Sequence, residues 1–224
     1  MNLLVIRPQP GADATARRIL ARGFHPLVMP LFAVSAVPWT WPENPAYDAI
    51  LLTSAHAPAA GAAMLHRAPH LPVYAVGPKT ARAARAAGFT VAAAGDRDVK
   101  AATDIAASHG RRHLLWLAGA DHIALPPCDD LRIDKVIVYR AAALAAPDDF
   151  DIVTSKADWV LLHSPRAAQY FRGLCEQQKC AIDALSIAAF SANVADAAGQ
   201  GWHRKLVAPR TDDAALIAAI TAAI

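Results

Sequence analysis

The stretch that decides the fold is Val73-Tyr74-Ala75-Val76-Gly77-Pro78-Lys79-Thr80-Ala81-Arg82-Ala83-Ala84-Arg85-Ala86-Ala87-Gly88-Phe89. It reads as a short buried strand, a glycine turn, an alanine-rich helix and a terminating glycine. Gly77 tolerates backbone angles that other residues resist and lets a ligand approach the main chain. Pro78 suits the first helical turn, where its missing N–H costs nothing. Thr80 adds a hydroxyl there, and Lys79 and Arg82 add positive charge. A helix N-terminus with free N–H groups and nearby cations attracts carboxylates and phosphates. The same turn also reads as an ordinary strand-to-helix connection of an α/β protein.

Repetition favours the first reading. Ile50-Leu51-Leu52-Thr53-Ser54-Ala55-His56-Ala57 ends a strand with a serine and opens a helix, and Val160-Leu161-Leu162-His163-Ser164-Pro165-Arg166-Ala167 repeats the pattern. Ala75-Val76-Gly77-Pro78-Lys79-Thr80-Ala81 is echoed by Ala189-Phe190-Ser191-Ala192-Asn193-Val194-Ala195. Two similar halves are implied, each offering small polar residues at helix N-termini.

Outward from these turns, strand-like runs alternate with helical ones, which implies parallel sheets covered on both faces. Strands are expected at Leu3–Ile6, Pro26–Met29, Ala49–Thr53, Val73–Val76, Thr90–Ala93, His113–Leu117, Lys135–Val138, Trp159–His163, Leu185–Ala189 and Lys205–Ala208. Between them lie helices, among them Asp13–Arg22 with Ala16, Ile19 and Leu20 on its apolar face, His56–Arg67, and one near Asp121–Leu131. Thr211-Asp212-Asp213 is an N-cap sequence for the last helix. Leu31 to Val37 is extended and leads into Pro38, Trp39, Trp41, Pro42 and Pro45, a stiff non-helical crossing. Tyr139-Arg140-Ala141 through Pro147 forms a second crossing. The chain ends together supply five strands and the middle five. The expected architecture is therefore two five-stranded α/β domains, one built from residues 1–36 and 145–224, the other from 37–144. Open parallel sheets bind ligands beyond the carboxyl ends of their strands, which is where the paired turns lie.

Composition narrows the partners. The 224 residues are 55% hydrophobic, enough for a sizeable core. Twenty-two basic and 19 acidic residues leave a net charge of +3 with no basic run, which argues against nucleic acid. No apolar stretch is long enough to span a bilayer, and the start reads as a first strand rather than a signal peptide. Cys128, Cys175 and Cys180 make no paired framework, and reduced thiols in a cytoplasmic monomer are the simplest account. No tight metal-ligand motif exists; His66 and His70 are separated by the helix-breaking Pro69. Neither serine turn has a Gly-x-Ser-x-Gly setting, and Gly77 with Gly88 is no dinucleotide fingerprint. Trp39 and Trp41 either cover the connector or stack on a ligand.

Taken together, these marks resemble the uroporphyrinogen-III synthase family over essentially the whole chain. They are Arg7-Pro8 after the first strand, Gly23, Pro30, Thr53-Ser54-Ala55, Val76 through Ala81 with Gly88, Leu117-Ala118-Gly119, Val138-Tyr139, Ser164-Pro165, and Gly201-Trp202. The resemblance implies two flavodoxin-like domains joined by a two-stranded connector, with the active site between them. It implies cyclisation of a linear tetrapyrrole, hydroxymethylbilane, with inversion of ring D and loss of water, using neither metal nor organic cofactor. Tyr139 matches the family's tyrosine at the second crossing, where its phenolic O–H can donate a proton to the departing hydroxyl. Ser54, Thr80 and Ser164 match positions that contact substrate carboxylates. Arg7 matches a recurrent arginine that faces the cleft or tethers its own turn. The paired turns add Gly77 and Ser191. Val194 stands where the family often has threonine. The rival reading, from another class, is a non-catalytic two-domain binding or regulatory protein for an anionic ligand.

Overall fold

The computed structural model describes residues 1–43, 46–95, 98–122, 124–128 and 130–224, with the side chains at 64–66 excepted. Pro45 of the first crossing and the imidazole of His66 thus lie outside the described residues. Chain order is β1 (Asn2–Val5), α1 (Gly11–Leu20), β2 (His25–Val28), β3 (Phe32–Ala36), β4 (Ala49–Leu52) and α2 (Ala57–Gly61), which runs on as a 3-10 turn over Ala62–Arg67. Then come β5 (Val73–Val76), α3 (Gly77–Ala86), β6 (Val91–Gly95), α4 (Val99–Ser108), β7 (His113–Gly119) and β8 (Arg132–Ala143). The chain closes with α5 (Phe150–Ser155), β9 (Trp159–Leu162), α6 (Pro165–Gln177), β10 (Ser186–Ala189), α7 (Ala192–Ala197), β11 (Lys205–Val207) and α8 (Asp213–Ala222).

Two compact units result: Met1–Ala33 with Ala142–Ile224, and Val34–Ala141. In the first, five parallel strands lie in the order β2-β1-β9-β10-β11. Successive residues of β1 point to opposite faces, as a strand requires. Leu4 and Ile6 join Phe150, Phe171 and Trp202 on one side, while Leu3 and Val5 join Ile19, Leu216 and Ile217 on the other. Leu20, expected in that core, is 58% exposed, and buried Ala12, Thr15 and Ile19 form the inner face of α1.

In the second unit the order is β8-β7-β4-β5-β6, with β3 added beside β8. If β9 is matched to β4 and β10 to β5, as the serine and glycine turns suggest, β1 falls on β7 and β2 on β8. The two parallel arrays then have the same spatial order, entered at different points of the chain. The six strands here, against the five expected, follow from the length of β8. Its 12 residues outrun the seven of β7, and its free edge takes up β3. Hydrogen bonds from Val37 N–H to Val138 O (3.0 Å) and from Leu144 N–H to Leu31 O (2.9 Å) make this pair antiparallel. Ile50, Leu52, Val73, Leu115 and Leu117 form one core, and Ala49, Leu51, Tyr74, Leu114 and Trp116 the other.

Among the described residues of 121–131 none is helical, contrary to expectation; Pro126 and Pro127 deny the run its backbone donors. Trp39 and Trp41 pack against the second unit's core with Tyr47, and the Trp39 indole donates to the Ala60 carbonyl at 3.4 Å. Among the described residues no helix is long and apolar enough to cross a membrane.

Candidate active site

The carboxyl ends of β4, β5 and β7 open into a cavity of about 360 Å³. Its wall includes Thr53, Ser54, Trp116, Gly119, His122 and Tyr139. Small and hydroxylic residues after the buried strands create it: Thr53 and Ser54 follow β4, and Gly119 ends β7. Tyr139 reaches it from β8 because Gly119 has no side chain. A Cβ on Gly119 would stand 2.6 Å from the phenolic oxygen. The ring also faces the His56 imidazole, with centroids 5.7 Å apart. Trp116 is fixed by an indole N–H bond to Thr53 Oγ1 (3.0 Å) and meets His122 edge-on at 5.0 Å. Of the expected site residues the cavity holds Ser54 and Tyr139, and with them Trp116 and His122, which sequence reasoning missed.

The other polar turns are helix entries. Ser54 Oγ accepts from the His56 amide at 3.2 Å. Ser164 caps α6 by accepting from Ala167 N–H (3.2 Å), and Ser191 caps α7 by accepting from Val194 N–H (3.4 Å). Each capping hydroxyl spends its oxygen on the backbone and keeps its own O–H as a donor. Gly77 opens α3 with φ of +78°, a left-handed conformation that suits glycine. Thr80, one turn in, is buried at 5% exposure, and its echo Val194 is buried at 4%.

At the carboxyl ends of β1 and β9 stands a different construction. Asp213, at the start of α8, is 9% exposed and gathers four polar partners. Its Oδ1 meets Arg7 Nη1 (3.3 Å) and His163 Nε2 (3.0 Å); its Oδ2 meets Thr15 Oγ1 (2.9 Å) and Arg18 Nη1 (3.0 Å). Burial opposes the charge on Asp213. The hydrogen bond from His163 and the charges around it outweigh that penalty and lower the carboxyl pKa to about 2. Burial lowers the pKa of His163, with the Asp213 bond working the other way. The Asp213 carboxylate only accepts, so the neutral ring donates to it from Nε2 and keeps its lone pair on Nδ1, which among the described residues has no hydrogen-bond partner. Arg7 is engaged inside its own unit by these bonds. Of the expected N-cap triplet, Asp212 caps α8 by accepting from Ala215 N–H at 2.8 Å, which leaves Asp213 for the network. Arg166 lies over the Phe32 ring, 5.1 Å from its centroid.

A slightly larger cavity, about 400 Å³, lies by Thr154, Ala157, Cys180 and Leu185. Ala157 and Leu185 precede β9 and β10, so this cavity sits at the amino ends of the strands, away from where open parallel sheets bind ligands. Among the described residues no group of three His, Cys, Asp or Glu side chains is arranged to hold a metal ion.

Fold and site define a class: an α/β protein of two units, with a pocket of hydroxyls, imidazole and indole at the carboxyl edge of one sheet. The uroporphyrinogen-III synthase HemD family matches residues 13–218, and the chain belongs to that family. No curated protein sequence matches it. Among solved structures it is similar to the uroporphyrinogen-III synthetase of Helicobacter pylori, at 14% identity and a TM-score of 0.62, covering 99% of this chain and 100% of that one. A mutant uroporphyrinogen III synthase of Thermus thermophilus is similar at 16% identity and a TM-score of 0.50, covering 100% and 98%. At such identities the likeness concerns the fold.

Proposed function

We infer that this chain is a cyclising lyase of tetrapyrrole synthesis, converting hydroxymethylbilane to uroporphyrinogen III with inversion of ring D and loss of water. The observation that carries this is the family match over residues 13–218. The non-catalytic reading is not favoured by it.

Tyr139 is the proton donor. The hydroxyl of ring A leaves as water, carrying the phenolic proton, and a conjugated azafulvenium cation remains beside the phenolate. Ring D attacks through its substituted carbon to give a spiro intermediate, which reopens and recloses at the other position. The proton released as the last pyrrole regains aromaticity restores the phenol. General acid catalysis of this kind contributes about 100-fold or more. The larger task is geometric, because holding the reacting ends in one orientation decides the isomer formed. What supports Tyr139 is its place in a cavity whose volume suits one substituted pyrrole rather than a whole tetrapyrrole.

The substrate's carboxylates are taken up by donors at both carboxyl edges. These are the hydroxyls of Ser54, Ser164 and Ser191, the backbone at Gly77, and the first turn of α3 with Thr80. Because α2 and α7 are short, their hydroxyls matter more than any helix dipole. Arg7 contributes positive field through its network with Asp213. Each unit is a flavodoxin-like domain, a reading supported by the strand order of the first unit; the functional boundaries proposed are 1–36 plus 145–224 and 37–144, each three residues past the division of the compact units. The enzyme acts as a cytoplasmic monomer on a small-molecule substrate, without nucleic acid, a reading supported by its balanced charge and its three free cysteines.

The test is a coupled assay. Freshly generated hydroxymethylbilane is given to the purified protein, and the uroporphyrin isomers are separated after oxidation. Predominantly isomer III is expected. Isomer I alone, from folded protein, would overturn the reading.

A further inference from the structure

Tyr139 depends on the end of β7 for its position. Gly119 faces Tyr139 across the parallel pair, just past a register shift between Ala118 and Gly119. Irregularities of this kind re-aim a side chain. The Ala120 amide then donates to the Tyr139 carbonyl at 2.9 Å, and the phenol lies where a Gly119 side chain would stand. The Gly119 carbonyl is tied in turn by His122, whose Nδ1–H donates to it at 2.9 Å. Lys135, four residues before Tyr139 on β8, donates from Nζ to His122 Nε2 at 2.7 Å. A carbonyl can only accept and an ammonium can only donate, so the imidazole carries its proton on Nδ1 and its lone pair on Nε2. The Trp116 edge-on contact holds the ring plane, and the Lys135 ammonium lies 5.9 Å from the Trp116 ring centroid. The chain of contacts from Tyr139 through Gly119, His122 and Lys135 closes on itself along β8.

We propose that His122 is a positioning residue for Tyr139. It holds the Gly119 backbone on which the phenol rests, and Lys135 selects the tautomer able to do so. The proposal deepens the functional reading above and rests on it for its kinetic consequences. His122 neither gives nor takes the reacting proton; its effect passes through the aim of the phenol. Misplacing a catalytic group by a fraction of an ångström acts on kcat and on the ratio of products rather than on substrate affinity.

The experiment compares wild type with His122→Ala, His122→Asn, His122→Gln and Lys135→Met. Each is checked for a cooperative thermal melt and then assayed for kcat, KM and the ratio of isomer III to isomer I. Asparagine places an amide N–H near the position of Nδ1, whereas the glutamine amide overshoots it. His122→Ala should lower kcat about tenfold with KM within about twofold, and raise the share of isomer I. His122→Asn should recover most of kcat and His122→Gln should not; Lys135→Met should lower kcat about threefold. A second readout needs no turnover. In protein carrying 3-fluorotyrosine at its four tyrosines, the Tyr139 fluorine signal is identified by its loss in Tyr139→Phe. That signal should shift or broaden in His122→Ala and return in His122→Asn. Unchanged kcat and isomer ratio in His122→Ala overturns the proposal, as does an unmoved fluorine signal or equal activity of the Asn and Gln variants. A wild type that makes only isomer I fails the functional reading instead, and the fluorine spectra then judge His122 alone.

Discussion

The carboxyl edges of the two sheets share a strand order and differ in what they do with it. One step before the repeated serine, the first unit has His163 and the second has Thr53. At the end of the matching strand in each array, the first has Arg7 just past β1 and the second has Gly119 as the last residue of β7. An arginine and a neutral histidine held below the surface need a group that is counter-charge to the one and hydrogen-bond acceptor to the other. Asp213 supplies it, and the edge fills with its own ion network. A threonine, a serine and a glycine need none, and the second edge is left with a 360 Å³ cavity and a phenol. Two copies of one frame thus diverge through the residues at the strand ends, since the central strands β1, β9 and β10 in one sheet and β4 and β7 in the other are buried on both faces and carry only packing.

The sharpest way to break this contrast is Tyr139→Phe. It should lower kcat about 100-fold with little change in KM or melting temperature. Wild-type turnover would remove Tyr139 from the chemistry and take from the second edge its claim to be the reactive one.

Next in size is Asp213→Ala. Removing one member of a buried ion cluster strands the others, and a loss of about 3 to 5 kcal/mol is expected in denaturant unfolding. A variant as stable as wild type would mean the first edge is no structural device. The same cluster sets an acid limit. The folded pKa of Asp213 lies below its ordinary value, at about 2, so the unfolded chain binds the proton first. The stabilisation is complete above pH about 4 and disappears as pH falls through about 2, a total of about 2 kcal/mol. Wild type should lose that much over this window, and Asp213→Asn should not.

Two glycines give a smaller, matched test. A Cβ at Gly11 would stand 2.7 Å from Arg7 Nε, and one at Gly119 would stand 2.6 Å from the Tyr139 oxygen. Gly11→Ala should cost about 1 to 2 kcal/mol of stability and spare kcat. Gly119→Ala should lower kcat about tenfold. The opposite pattern would exchange the roles assigned to the edges.

The smallest effects belong to the echoed pair in the first turns of α3 and α7. Thr80→Val should raise KM about threefold through one lost hydrogen bond, and an unchanged KM would withdraw Thr80 from substrate contact. Val194→Thr should leave KM alone and lower stability by about 1 kcal/mol, because it places a hydroxyl in the first unit's core. A lowered KM in Val194→Thr would show that the first edge can be converted toward the second.

Much of this was legible beforehand for a physical reason. Buried parallel strands are short apolar runs, and their helices begin at serine, aspartate or Gly-Pro and stop at glycine, so local chemistry marks them. Ser164, Ser191 and Asp212 cap helices where their sequence suggested. Local signals failed where the outcome depended on a neighbour. The run 121–131 is the opposite case, a local signal overlooked: Pro126 and Pro127 stand within it, and none of its described residues is helical. Leu20 has the right spacing to be buried, but the packing of α1 leaves it exposed.

From the sequence alone came the α/β class, the internal echo, the position of each polar turn and the family, because these rest on periodicity and on residues adjacent in the chain. Only the tertiary structure decided that Asp213 binds Arg7 across 206 positions, that β3 joins β8, and that His122 and Lys135 support Tyr139. Those pairings depend on which strand lies beside which and how far each extends. Spacing along the chain does not encode that; packing the sheet does.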